Sequence, residues 1–187
     1  MTTRALLAIG ANLTSSVGPP AMTIQAAVAA LRERCANLSK VSSLYKTPAF
    51  PVGSGPDFVN AAAVLDTPAA PRAVLALLHE VEAVLGRTRD VRWGARVIDL
   101  DLIGMEDHVL PNRSVYDAWA GLPASAHTEK VPDTLILPHP RMQERSFVLV
   151  PLAEVAPNWR HPVLGKTVLE LRDALPQAEL GSVQPLE

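Results

Sequence analysis

The chain begins with an apolar run, Arg4 to Gly10, that stops at a glycine, which predicts a buried first strand. Turn formers fill Asn12 to Pro20. Beyond Pro19-Pro20, Ile24, Ala27, Val28 and Leu31 recur at helical spacing, predicting a helix that runs to about Arg34. Val41 to Lys46 reads as a strand ended by Thr47-Pro48, and Pro48 to Pro56, with three prolines and two glycines, as a loop. Phe58 to Leu65 predicts a third strand. After Thr67-Pro68, Val74, Leu77, Leu78, Val81 and Leu85 form one apolar stripe, so a second helix is expected, with Gly86 placed to cap its C-terminus. Arg87 to Arg96 is a basic loop, and Val97 to Ile103 a fourth strand. The order βαββαβ is the split arrangement of a ferredoxin-like sandwich, and the expected class is α+β.

The pattern then weakens. Glu106 to Asp133 is polar, with a short helix near Tyr116 to Ala120. Leu135 to Leu137 is a candidate short strand and Lys166 to Leu175 a terminal helix, so extra C-terminal elements follow the sandwich. With neither an internal repeat nor a linker, residues 1–187 read as a single domain carrying an insertion at 106–133.

Composition narrows the partners. Hydrophobic residues make up 48%, enough for a core, while a net charge of −2 and a pI near 6.2 fit poorly with duplex binding. The lone Cys35 rules out an internal disulfide and accords with a reducing cytosol. The N-terminal apolar run is too short for a signal peptide, and no stretch is long enough to span a bilayer. A cytoplasmic monomer that engages neither nucleic acid nor membrane is expected.

The densest chemistry lies in Arg92-Trp93-Gly94-Ala95-Arg96-Val97-Ile98-Asp99-Leu100-Asp101-Leu102. Side chains alternate along a strand, so Asp99 and Asp101 project on one face and Ile98, Leu100 and Leu102 on the other. Adjacent carboxylates repel unless a cation or solvent screens them, and Mg²⁺ typically takes one or two carboxylates and completes its shell with phosphates. Taken alone, the pair also fits a half-buried strand with an acidic wet face. Four arginines, Arg87, Arg89, Arg92 and Arg96, lie between positions 87 and 96, and guanidinium forks match phosphate oxygens. Alone they fit a solvated basic loop. Together the two features suggest a Mg-nucleotide site. His139, between Pro138 and Pro140, is either structural or functional, and Arg145 adds a cation nearby. Phe50 and Phe58 are placed either to sandwich a flat ring or to fill the core, and Asn60 offers a donor and an acceptor to an amide edge.

Several segments, in order, resemble the 6-hydroxymethyl-7,8-dihydropterin pyrophosphokinase family: Ala8-Ile9-Gly10-Ala11-Asn12-Leu13, Ser42 to Pro48, Asp57-Phe58-Val59-Asn60-Ala61, Glu82 with Gly86-Arg87, Arg92 to Asp101, and Leu137-Pro138-His139-Pro140-Arg141 with Arg145 and Phe147. The resemblance implies pyrophosphate transfer from ATP to 6-hydroxymethyl-7,8-dihydropterin in folate biosynthesis, on the same ferredoxin-like fold. It implies that Asp99 and Asp101 hold two Mg²⁺ ions and that Arg87 and Arg96 steady the transferring group. Glu82, Arg89, Trp93, Ile98, His139 and Arg145 would surround the nucleotide, and Thr47, Pro48, Phe50, Phe58, Asn60 and Phe147 the pterin. Ala95 departs from the proline usual there, and the 106–133 segment is longer than the family's usual connection. Two rival readings remain at this point: a Mg-dependent nucleotidyltransferase or glycosyltransferase using its own Asp-x-Asp, and a ferredoxin-like RNA-binding module. The acidic pI and 4% aromatic content argue against the latter.

Overall fold

The computed structural model describes residues 2–35, 37–49, 53, 55–87, 96–123 and 132–186. Its six strands are β1 (Thr3–Ala11), β2 (Leu38–Val41), β3 (Tyr45–Thr47), β4 (Phe58–Thr67), β5 (Asp99–Met105) and β6 (Gln184–Pro185). They form one antiparallel sheet in the order β5-β1-β4-β3-β6, with β2 also pairing with β4. The order β5-β1-β4 flanked by β2 and β3 is the ferredoxin-like sheet that the βαββαβ pattern predicts.

Two helices, α1 (Pro20–Arg34) and α2 (Pro71–Val84), cover one face. Each starts at a proline, whose fixed φ suits the first turn and whose missing N–H would go unpaired there anyway. Their apolar stripes, including Ile24, Leu31, Val74, Leu78 and Val81, meet Ala5, Leu7, Ile9, Ala61, Ala63, Leu65, Leu100 and Leu102 of the sheet. Gly86, at φ +85°, turns the chain out of α2. The Arg87 N–H returns to the Glu82 carbonyl and the Gly86 N–H to that of Ala83, so the capping turn aims Arg87 back over the helix.

Among the described residues, helices cover part of the other face. Helix α4 (Ser146–Val155) and the short α5 (Val168–Asp173) pack Val148, Leu149, Leu152, Val168 and Leu171 on Leu6, Ala62, Val64 and Ile103. A bulge in β5 opposite Leu6 and Leu7 breaks the alternation: Ile103 lies in this second core, and the next residue, Gly104, is turned to the same face against Trp159. The end of this face nearest Phe58, Asn60, Gly10, Asp99 and Asp101 is left outside α4.

Several expectations need correction. The strand expected over Val41 to Lys46 is two strands, because Ser42 interrupts it: its Oγ accepts the Ala62 N–H at 2.9 Å in place of a regular ladder bond. The fourth strand begins at Asp99 and runs on to Met105. The helix placed at Tyr116 to Ala120 is α3 (Arg113–Ala120), started by the Asn112 side chain accepting from the Val115 N–H. Leu135 to Leu137 forms only a bridge between Leu137 and Leu110. The terminal helix shortens to α5, where Thr167 and Glu170 make a capping box, and α6 (Gln177–Gly181) and β6 follow. Pattern reading found no α4 at all: it is apolar on nearly every side and contains Pro151, so it has no amphipathic period.

Candidate active site

Asp99 and Asp101 project from β5 away from α1 and α2, because the intervening Leu100 and Leu102 fill the first core. β1 lies between β5 and β4. The pairing therefore places Asn60, Gly10 and Asp99 in one cross-strand row, and Ala62, Ala8 and Asp101 in the next. Tyr45 faces Asn60 and Thr47 faces Phe58 one strand further out. Directly paired residues share a sheet face, so the acidic pair and the Phe58–Asn60–Thr47 group stand on one surface, two strands or ~10 Å apart. Between them Gly10 has no side chain. A Cβ there would come 3.1 Å from Asn60 Oδ1, so glycine lets the amide lean over a flat floor. Asn60 is 5% exposed and donates through Nδ2 to Thr47 Oγ1 at 2.8 Å, which orients its amide.

The charges around Asp99 interlock. Glu82, on α2 and 1% exposed, accepts the Leu100 N–H at 2.7 Å and pairs with Arg87. Burial pushes its carboxyl above the usual range, opposed by the Leu100 N–H and Arg87. Arg87 Nη1 also lies 2.7 Å from Asp99 Oδ1, while Arg96 pairs with Asp99 Oδ2, so each oxygen of Asp99 faces a guanidinium. Asp101, half-buried, has no ion pair among the described residues. Burial first, and then the Asp99 carboxylate, push its pKa up to about 6, against the pull of Arg145 and Arg96. Burial lowers the Arg145 pKa, countered by Asp101, which puts both groups in one electrostatic neighbourhood.

The remaining expected residues fall as follows. Ile98 is fully buried in the first core, so any contact with a nucleotide would be through its backbone. Glu82 lies beneath Asp99 and Arg87. The His139 N–H donates to the Ile103 carbonyl at the bulge (2.7 Å), and its Nδ1 accepts the Arg141 N–H (3.1 Å), which leaves the ring proton on Nε2. Phe147, at the start of α4, is exposed, with the Arg145 guanidinium 5.7 Å from its ring centre. Thr47 is buried and Pro48 exposed. Phe50, Arg89 and Trp93, with Arg92, Gly94 and Ala95, lie outside the described residues. Sequence reasoning gave no role to Asn12. It is 5% exposed and bonded to both Arg96 and Pro56, and its signals were its place in the family-like segment Ala8 to Leu13 and its position at the end of the first strand.

The donor set suits magnesium. Among the described residues no group of three or more His, Cys, Asp or Glu side chains forms a closed cage. Two carboxylates on one face of a strand, with burial and then Asp99 raising the pKa of Asp101, fit an ion that leaves most of its shell to phosphate and water.

Comparison with known proteins bears on what this surface serves. A family model described as 7,8-dihydro-6-hydroxymethylpterin-pyrophosphokinase matches residues 6–157. A Synechocystis sp. protein named 2-amino-4-hydroxy-6-hydroxymethyldihydropteridine pyrophosphokinase is 34% identical, over 97% of this chain and 80% of its own length. One of the same name from Pseudomonas aeruginosa is 38% identical, over 94% of each chain. Among solved structures, a Plasmodium falciparum HPPK-DHPS aligns with a TM-score of 0.63 at 15% identity, over 92% of this chain. This chain spans 44% of that longer one, and at this identity the likeness shows the fold alone. The chain belongs to the 7,8-dihydro-6-hydroxymethylpterin-pyrophosphokinase family.

Proposed function

We propose that this chain transfers the terminal pyrophosphoryl group of ATP to 6-hydroxymethyl-7,8-dihydropterin, giving the pterin diphosphate and AMP, in folate biosynthesis. Family membership supports the reaction. The observation that carries the assignment of residues is the row Asn60–Gly10–Asp99, which sets a buried, oriented amide and an ion-paired carboxylate on one face of the sheet.

On the pterin side, Asn60 and Thr47 read the polar edge of the ring while Phe58 and Phe147 offer aromatic faces to it, with Pro48 and Phe50 completing the pocket. On the nucleotide side, Asp99 and Asp101 would hold magnesium, which when bound neutralises and orients the phosphates. Arg87 and Arg96 pair with Asp99. Guanidinium forks suit phosphate as well as carboxylate, so arrival of the charged polyphosphate lets both arginines turn to the transferring group. Arg89, Trp93, His139, Arg145 and the backbone of Ile98 flank the nucleotide, and Glu82 holds Arg87 from below. The pterin hydroxyl oxygen bonds to the β-phosphorus, the bond from that phosphorus to the oxygen it shares with the α-phosphate breaks so that AMP departs with that oxygen, and the hydroxyl proton passes to solvent. Positioning and charge neutralisation carry most of such a transfer. Residues 1–187 serve as one cytoplasmic domain, with 106–133 inserted after the last sandwich strand.

Product analysis tests this reading. ATP, hydroxymethyl-dihydropterin and Mg²⁺ with the wild type should give AMP and a pterin diphosphate, and Asp101→Ala should give neither while remaining folded. Release of pyrophosphate in place of AMP would point to nucleotidyl transfer, and a fully active Asp101→Ala enzyme would refute the metal assignment.

A further inference from the structure

Asn12 is the first residue beyond β1 and is almost fully buried, at 5% exposure. Its amide is used at both ends. Oδ1 accepts the Arg96 N–H at 2.7 Å, and Nδ2 donates to the Pro56 carbonyl at 3.2 Å. The backbone N–H groups of Asn12 and Leu13 donate to the Arg96 carbonyl at 3.0 and 3.3 Å, so the Arg96 main chain is held on both its polar sides. Arg96 stands three residues before Asp99 and pairs with it; Pro56 stands two residues before Phe58 and four before Asn60. One buried side chain thus joins the approach to the acidic pair and the approach to the aromatic and amide group. Among side chains of this length only a primary amide both accepts and donates without charge.

We propose that Asn12 is a positioning residue that sets the spacing of the two half-sites, holding Arg96 in place for Asp99 and the polyphosphate, and holding the turn at Pro56 from which Phe58 and Asn60 start. The inference rests on the pyrophosphoryl-transfer reading given above. Asn12 contacts neither substrate. Its effect passes through its two arms, and because each arm serves a different half-site the two can be separated.

Asn12→Asp keeps shape and the acceptor for the Arg96 N–H, but it loses the donor to Pro56 and turns a lone pair on that carbonyl. Asn12→Ala removes both arms. Small displacements of reacting groups cost up to about 100-fold in rate. With the full chain, Asn12→Ala should lower kcat by about 10- to 100-fold and raise both KM values, whereas Asn12→Asp should raise the pterin KM about tenfold and leave the ATP KM within about threefold. A merely structural staple would lower the melting temperature and leave the kinetics of the folded variants unchanged, and that result overturns the proposal. So does Asn12→Asp raising both KM values equally, or that for ATP alone. Should Asn12→Ala fail to fold, Asn12→Asp decides. The wild type gives an independent readout: the Arg96 amide should exchange with solvent at least about tenfold slower than in an open chain. An unprotected Arg96 amide refutes the link whatever the variants do. Absence of pterin diphosphate from the wild type would instead overturn the reaction, and amide exchange would still judge the Asn12 link.

Discussion

At Asp101, burial and the neighbouring Asp99 carboxylate push the pKa up to about 6. The folded chain therefore holds this proton more tightly than the unfolded one. Below about pH 4 the group is neutral in both states and costs nothing. As pH rises through about 6 it ionises in the fold as well, and the full penalty applies. Asp101→Asn has the same size without the charge. In magnesium-free buffer it should stabilise the protein by on the order of 1–2 kcal/mol at pH 8 and by nothing measurable at pH 4, read from denaturant midpoints. Turnover should be lost at either pH. Equal midpoints at pH 8 would mean that the carboxylate is not under strain. The Asp-x-Asp spacing was legible because strand alternation alone puts both groups on one face. Its electrostatic state was not, since that depends on Arg87 and Arg96 pairing with Asp99 but not with Asp101.

Among the elements, β5 has to satisfy two layers. Ile103 enters the core beneath α4 by alternation, and the bulge turns the next residue, Gly104, to the same face against the Trp159 ring, where a Cβ would stand 2.8 Å from Cζ2 and 3.0 Å from Cη2. The indole is locked by its own bond, Nε1 to the Glu106 carbonyl at 3.2 Å, so it has little room to yield. Gly104→Ala should overpack this contact and cost about 1–3 kcal/mol, seen as a lower melting temperature. An unshifted melting temperature would show that the ring moves freely. α2 was readable to its last residue because its stripe is amphipathic and its cap is a glycine, whereas α4 escaped because a helix apolar on most sides carries no period to detect.

Across the whole molecule, the segment after α4 ties Glu106 and α3 to the body. Trp159 reaches the Glu106 carbonyl, and His161, fully buried, meets Tyr116 of α3 through Nε2 at 3.2 Å. His161 Nδ1 accepts the Val163 and Leu164 N–H groups, so Nε2 carries the proton and donates to Tyr116. Burial drives the His161 pKa down to about 4, so the fold holds it neutral and loses stability as pH falls from about 6.5 toward 4. Tyr116→Phe keeps the ring but leaves the buried imidazole N–H without an acceptor. It should cost about 1–3 kcal/mol at pH 7, measured by chemical unfolding, and a neutral result would mean that water replaces the hydroxyl.

The chain's own sequence determined the βαββαβ order, the two outer helices and the paired aspartates, because each depends on a local period or a capping residue that survives without tertiary context. It also carried the family's segments in order, enough to name the reaction class. Tertiary structure alone decided the rest. Strand pairing through Gly10 put Asn60 and Asp99, distant in sequence, on one floor. α4, invisible to pattern, covered one end of that face, and Asn12 acquired its two partners only when Arg96 and Pro56 arrived from opposite sides. These are long-range contacts, and no local rule of propensity or spacing encodes which distant group will meet a given side chain.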